Sequence, residues 1–169
     1  MKRSFLVTLA VAALCICQAA EADKNQPQSE EEHAMSIQKT YQFIKDAKTY
    51  YLATVDKDQP RVRPFGTIHI FEGKLYIQTG RKKNVAQQLL ANGKAEICAF
   101  KDGSWIRVSG VLVDDPRREA KASMLSEYAS LRKIGYSEDD ENTMVLYFKP
   151  GTVTSTIYSF GNPPVEMKF

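Results

Sequence analysis

The apolar residues of this chain change their spacing several times, and each change marks a new element. After Ser36, Ile37, Tyr41, Ile44 and Ala47 recur at three- and four-residue intervals, which predicts a helix capped by that serine and ending near Lys48. The period then falls to two. Tyr50-Tyr51-Leu52-Ala53-Thr54-Val55 is rich in aromatic and β-branched residues and predicts a strand, followed by turn chemistry in Asp56-Lys57-Asp58-Gln59-Pro60. A second strand runs from Arg61 to Phe71, Glu72-Gly73 turns the chain, and Lys74 to Thr79 forms a third, so the three predict a meander. From Asn84 to Asn92 the helical period returns, with Val85, Leu89 and Leu90 on one face and Gly93 as a C-terminal glycine cap. Ala95 to Phe100 and Trp105 to Val113 predict a hairpin turning at Asp102-Gly103. Asp115-Pro116 opens another helix, whose buried face is Ala120, Met124, Leu125, Tyr128 and Leu131. Thr143 to Phe148 and Thr152 to Phe160 close the domain, with Pro150-Gly151 between them. Six or seven antiparallel strands with helices at the margins imply a mainly β, α+β domain closed into a small barrel.

The ends of this pattern define the domains. Lys2 and Arg3 precede an apolar run from Phe5 to Cys17, and small residues follow at Ala19, Ala20 and Ala22, which reads as a secretory signal over residues 1–22. The run falls short of the roughly 20 apolar residues that cross a bilayer. Cleavage would release an exported protein, periplasmic or extracellular, with no stable membrane association. Lys2-Arg3-Ser4-Phe5-Leu6 loosely resembles a twin-arginine signal, which exports folded proteins. Residues 23–35, with Gln26-Pro27-Gln28-Ser29-Glu30-Glu31-Glu32, are polar and predict a disordered tether. Residues 36–169 then form one domain. Cys15 and Cys17 leave with the signal, so Cys98 is alone, forms no intramolecular disulfide, and is expected to be buried among its apolar neighbours.

Charge narrows the possible functions. A net charge of +3 over 169 residues lacks the concentrated basic face of a nucleic-acid binder. His33, His69 and Cys98 make no zinc pattern, and neither a dinucleotide fingerprint nor a nucleophile elbow occurs. No metal site is expected, no catalytic residue is assigned, and any redox chemistry must come from a bound cofactor.

Three segments carry candidate chemistry. In Arg61-Val62-Arg63-Pro64-Phe65-Gly66, strand alternation puts both arginines and Phe65 on one face. Like charges there repel unless an anion lies between them, although an edge strand with arginine stems over apolar surface gives the same pattern. Pro64 and Gly66 interrupt the ladder where a flat ring can approach the backbone. Gln78-Thr79-Gly80-Arg81-Lys82-Lys83-Asn84 sets three cations before a helix, an unfavourable place that a phosphate would relieve, with Thr79 and Asn84 completing the site; the alternative is a solvated basic turn. The five cations of the two segments are thus expected to converge on one phosphate. In Ser104-Trp105-Ile106-Arg107-Val108-Ser109-Gly110, Trp105 and Arg107 share a face opposite Ile106 and Val108, suited to a ligand, a dimer interface or a salt-bridged core.

Taken in order, Tyr51-Leu52-Ala53-Thr54, Gln59-Pro60 with the Arg61 to Gly66 segment, Gly73-Lys74-Leu75-Tyr76-Ile77, and Trp105 to Gly110 resemble the pyridoxamine-phosphate-oxidase-like FMN-binding proteins, in particular their nitroimidazole-resistance-related branch. The likeness runs from about Ser36 to the C-terminus. It implies a split barrel that works as a homodimer with two FMN molecules at the interface. Arg61, Val62, Arg63, Pro64, Phe65 and Gly66 would then lie along the flavin, Ile77, Gln78 and Thr79 would contact it from the next strand, and Lys82, Lys83 and Asn84 would hold its phosphate. Trp105 and Arg107 of the second subunit would border the open face. Residues 160–169 lack the tryptophan and arginine of the true oxidases, so pyridoxine-phosphate oxidation is not implied. The resemblance implies an FMN-dependent oxidoreductase for a small aromatic or nitro-aromatic molecule; the alternative is a non-catalytic flavin- or haem-binding barrel using His69.

Overall fold

The computed structural model describes residues 29–169, so the predicted signal segment and residues 23–28 of the predicted tether lie outside the described residues. Helix α1, Glu30–Ala47, starts six residues before Ser36. Ser29 and Glu32 form a reciprocal capping box, and three glutamates in the first turn face the positive end of the helix dipole. The acidic run that reads as a tether is a helix start for that reason. Ile37 and Ile44 bury the inner face of α1 against the barrel.

Among the described residues nine strands follow, against the six or seven expected: β1 Tyr50–Asp56, β2 Gln59–Phe65, β3 His69–Phe71, β4 Lys74–Gly80, β5 Lys94–Lys101, β6 Ser104–Asp115, β7 Thr143–Phe148, β8 Thr154–Ser159 and β9 Asn162–Lys168. Helix α2, Asn84–Ala91, separates β4 from β5, while α3, Arg118–Glu127, and α4, Ser130–Lys133, separate β6 from β7. All pairings are antiparallel, in the order β2-β1-β5-β6-β7-β4-β3, with β8 and β9 added alongside β6. The 12-residue β6 splits the architecture, pairing with β8 over Ser104 to Ser109 and with β7 over Leu112 to Asp115. Its other edge carries β5.

The expected meander is not formed. β1 pairs with β2, β3 pairs with β4, and β2 ends the sheet. The long strand expected from Arg61 to Phe71 breaks over residues 66–68, just after Pro64, where the chain passes from one half of the split sheet to the other. Side chains replace the missing ladder there: Tyr50 Oη donates to the Thr67 carbonyl at 2.7 Å, and Tyr128 Oη accepts from Ile68 N and donates to Ile68 O.

Tyr50, Leu52, Leu75, Ile77, Ile97, Ile106, Val108 and Leu146 form the sealed interior. Two further expectations change. Cys98 is exposed, because alternation along β5 buries Ile97 and Ala99 and turns the cysteine outward. Gly93 adopts no left-handed cap; α2 ends on Asn92, and a Cβ on Gly93 would stand 2.6 Å from the Leu112 carbonyl oxygen, so close backbone approach explains the glycine.

Candidate functional site

The break after β2 opens an indentation in the surface. Pro64, Phe65, Gly66 and Thr67, Gln78 and Thr79 at the end of β4, and Lys83 at the start of α2 line a cavity of about 370 Å³. That volume lies within the roughly 300–1,000 Å³ of small-molecule sites. Leu131, Ile134 and Tyr136 complete the lining from the connection between α3 and β7.

The local chemistry is that of a site for a partly anionic ligand. Thr79 is 2% exposed, and its Oγ1 has no hydrogen-bond partner among the described residues. Such an orphan hydroxyl costs about 1–3 kcal/mol when nothing satisfies it. Lys83 is the N-cap of α2, with no side-chain cap and no acid in the first turn, leaving free amides and a positive dipole end. Lys82 N donates to Asn142 Oδ1 at 3.1 Å and Arg81 N to the Asn142 carbonyl at 2.7 Å, which fixes the basic turn.

The five cations do not gather on one point. Arg81 binds both oxygens of Asp114 at 2.8 and 3.0 Å, and Arg61 pairs with Asp56 at 3.3 Å. Arg63 donates to the Leu52 carbonyl, to Thr54 Oγ1 at 2.7 Å and to Gln88 Oε1 at 2.8 Å. Burial, and secondarily the charge of Arg61, lowers its pKa. Lys82 is exposed, and Lys83 alone of the five lines the cavity. Acidic partners within the chain neutralise Arg61 and Arg81, so their charge needs no ligand.

The remaining candidates divide by face. Arg61, Arg63 and Phe65 share a face with their partners Thr54, Leu52 and Tyr50, as alternation requires. Val62 points outward and is 69% exposed, whereas the Ile77 side chain is sealed in the core, so only its backbone is available to a ligand. Asn84 lines a second cavity of about 430 Å³ with Val55, Lys57, Gln87 and Gln88. On the outer face of β6, Trp105 stacks on Tyr158 at 5.1 Å and Arg107 binds Glu96 at 2.7 Å. His69 is held at both ring nitrogens, by Ser123 Oγ at 2.7 Å and Glu127 Oε2 at 3.4 Å. Burial pushes its pKa down against the opposing pull of Glu127.

Residues 37–156 match the family model described as pyridoxamine 5'-phosphate oxidase. The chain belongs to that family. Within the pyridoxamine 5'-phosphate oxidase family it is similar to a NimC/NimA family protein from Clostridium acetobutylicum, at 40% identity and a TM-score of 0.76 over 82% of this chain and 98% of the other, which puts it in the nitroimidazole-resistance-related branch. A pyridoxamine 5'-phosphate oxidase-related, FMN binding protein from Nostoc punctiforme PCC 73102 shares the fold at 16% identity, TM-score 0.57, over 83% and 91% of the two chains. A heme binding protein from Mycobacterium smegmatis does so at 14% identity, TM-score 0.59, over 85% of this chain and 59% of the other. No curated protein matches the chain in sequence.

The split barrel of this family thus carries, in this chain, an orphan hydroxyl, an ammonium and an uncapped helix start beside Phe65 and Pro64. That set fits a ligand with a planar ring and an anionic end, such as FMN. Leu131, Ile134 and Tyr136 were not expected in the lining. Their only signal is an apolar pair around Gly135 within a strongly charged stretch, since their proximity to Pro64 depends on the path of the chain between α3 and β7.

Proposed function

We propose that this protein is an FMN-dependent oxidoreductase, exported and working as a homodimer, that passes electrons from a reduced donor to a small aromatic or nitro-aromatic acceptor. The observation that carries this reading is a cavity lined by Lys83, the Pro64 to Gly66 segment and Thr79, whose buried hydroxyl has no partner among the described residues. Bound FMN would supply the electron transfer, and the protein supplies position and electrostatics. Lys83 and the amides at the start of α2 would hold the phosphate, Thr79 would donate to a ligand oxygen, and the interrupted strand would offer backbone to the ring edge. Arg63 braces this arrangement from behind by tying β2 to Thr54 and Gln88, and so acts through position. Trp105 and Arg107, on the outer face of β6, suit a contact with the second subunit.

The haem reading is less well supported, because His69 lies outside the cavity lining and both its ring nitrogens already have partners. The absorption spectrum and mass of the ligand that copurifies with the full chain test the choice. Flavin bands that a reductant bleaches and a nitro-aromatic acceptor restores are expected. A Soret band that disappears in His69→Ala would replace FMN with haem, and colourless protein that ignores added FMN would end the flavoprotein reading.

A further inference from the structure

The wall contributed by residues 131–136 lines the same cavity as the ring and phosphate contacts described above and meets them at Lys83. Ile134 is a branched apolar residue left 72% exposed at the cavity, and Leu131 stands beside it. Tyr136 Oη makes no hydrogen bond among the described residues. Its ring lies under the Lys83 ammonium at 5.8 Å. The tyrosine reaches this position because residue 80 has no side chain: a Cβ on Gly80 would meet Tyr136 Oη at 3.2 Å and the Asn142 amide at 3.3 Å.

The segment is also pinned. Asp140 accepts from Ser137 N at 2.8 Å, from Thr143 N at 2.5 Å and from Thr143 Oγ1 at 2.9 Å. Arg118 binds Asp139 at 2.7 Å, Arg132 pairs with Glu138, and Lys121 donates to the Asp140 carbonyl at 3.2 Å. These contacts hold the turn that follows the wall, and Ile134 N and Tyr136 N donate to the Leu131 carbonyl at 3.1 and 3.2 Å, so the wall is folded before any ligand arrives, which spares ordering entropy on binding. An exposed isoleucine on a rigid turn gains nothing from the protein's own packing, and next to an unspent hydroxyl it suits a flat apolar body with a polar substituent.

We infer that Ile134 and Tyr136 determine acceptor specificity, Ile134 by covering one face of a planar, uncharged aromatic ring and Tyr136 by donating to an oxygen on it. This deepens the flavoprotein reading and rests on it for its chemistry, since FMN bound in the same cavity would supply the electrons. The two can nevertheless fail separately, because the wall is tested by binding without turnover.

The test titrates 4-nitrobenzyl alcohol into the purified full-length protein by calorimetry, beside benzyl alcohol, which lacks the nitro oxygens, and cyclohexylmethanol, which lacks the flat ring. A second titration uses FMN alone. The wild type is expected to prefer the nitro compound to both analogues. Ile134→Ala should weaken both aromatic probes by roughly tenfold, the usual effect of removing apolar contact in a pocket. Tyr136→Phe should weaken the nitro compound about fivefold and leave benzyl alcohol unmoved, as expected for one lost neutral hydrogen bond. Absence of probe binding, equal binding of cyclohexylmethanol, or unchanged affinities in both variants would overturn the inference while FMN affinity stands. So would an Ile134→Ala variant whose only change is dissociation of a dimer, because the isoleucine would then belong to a subunit contact. Loss of FMN binding in the wild type would instead remove the flavoprotein reading, whatever the probes do.

Discussion

Thr79 shows how one atom constrains function. A buried hydroxyl without a partner is a net cost in the folded protein, and a ligand that accepts a hydrogen bond from it turns the cost into affinity. Thr79→Val keeps the shape and removes the hydroxyl, so it should leave the ligand-free protein unchanged or about 1 kcal/mol more stable while weakening FMN by roughly five- to tenfold. Thermal unfolding without ligand and a fluorescence titration with FMN measure the two effects; a variant that loses stability and keeps its FMN affinity would mean the hydroxyl has an internal role. Gly93 and Cys98 make the complementary point. Both residue types were plain in the sequence, but the Leu112 carbonyl that excludes a Cβ at 93, and the alternation that turns 98 outward, come from pairing across β5 and β6.

Between elements, one network of polar contacts joins α1, β3 and α3. Lys45 on α1 binds Glu127 on α3 and donates to Tyr128 Oη at 3.0 Å, Glu127 faces His69 on β3, and His69 meets Ser123 on α3. Burial opposes the charge of Lys45, but its hydrogen bonds to Glu127 and Tyr128 more than offset this and raise its pKa. Hydrogen bonding to Lys45 in turn holds Glu127 below the usual carboxylate range. Burial lowers the pKa of His69. Below about pH 6.5 the unfolded histidine takes up a proton that the folded one still refuses. The unfolded state then binds more protons, so stability falls as pH drops from 6.5 toward the folded pKa. Glu127 contributes stability above its unfolded pKa and loses it only at lower pH, as its folded pKa is passed, which leaves the window from about 6.5 to 5.5 to the histidine. Urea unfolding midpoints should decline between pH 7 and 5.5 in the wild type and decline less in His69→Gln. An identical slope in the variant would assign the dependence to another group.

For the whole molecule, the outer face of the sheet decides whether a single subunit is complete. Tyr51, Val62 and Phe100 are 54%, 69% and 64% exposed, and Trp105 and Tyr158 lie on the same face, so apolar side chains gather on one outer surface where the proposed dimer would form. Phe100→Asp should therefore turn the proposed dimer into a monomer in light scattering and lower FMN retention with it. A wild type that elutes as a monomer with flavin bound would break the link between the two. Side-chain alternation and propensity are local, so the period-two runs, helix α2 with its basic start, and the shared face of Trp105 and Arg107 were legible along the chain. The sequence also held the motifs that mark the family. Tertiary pairing divides the Arg61 to Phe71 run between two hairpins, adds β9 as an edge, and brings Arg61 and Arg81 to carboxylates within the chain. Tertiary structure alone brought Tyr136 against Gly80, 56 positions earlier in the sequence. Those outcomes depend on which strands become neighbours and which charges meet, and long-range contacts of that kind leave no periodic trace along the chain.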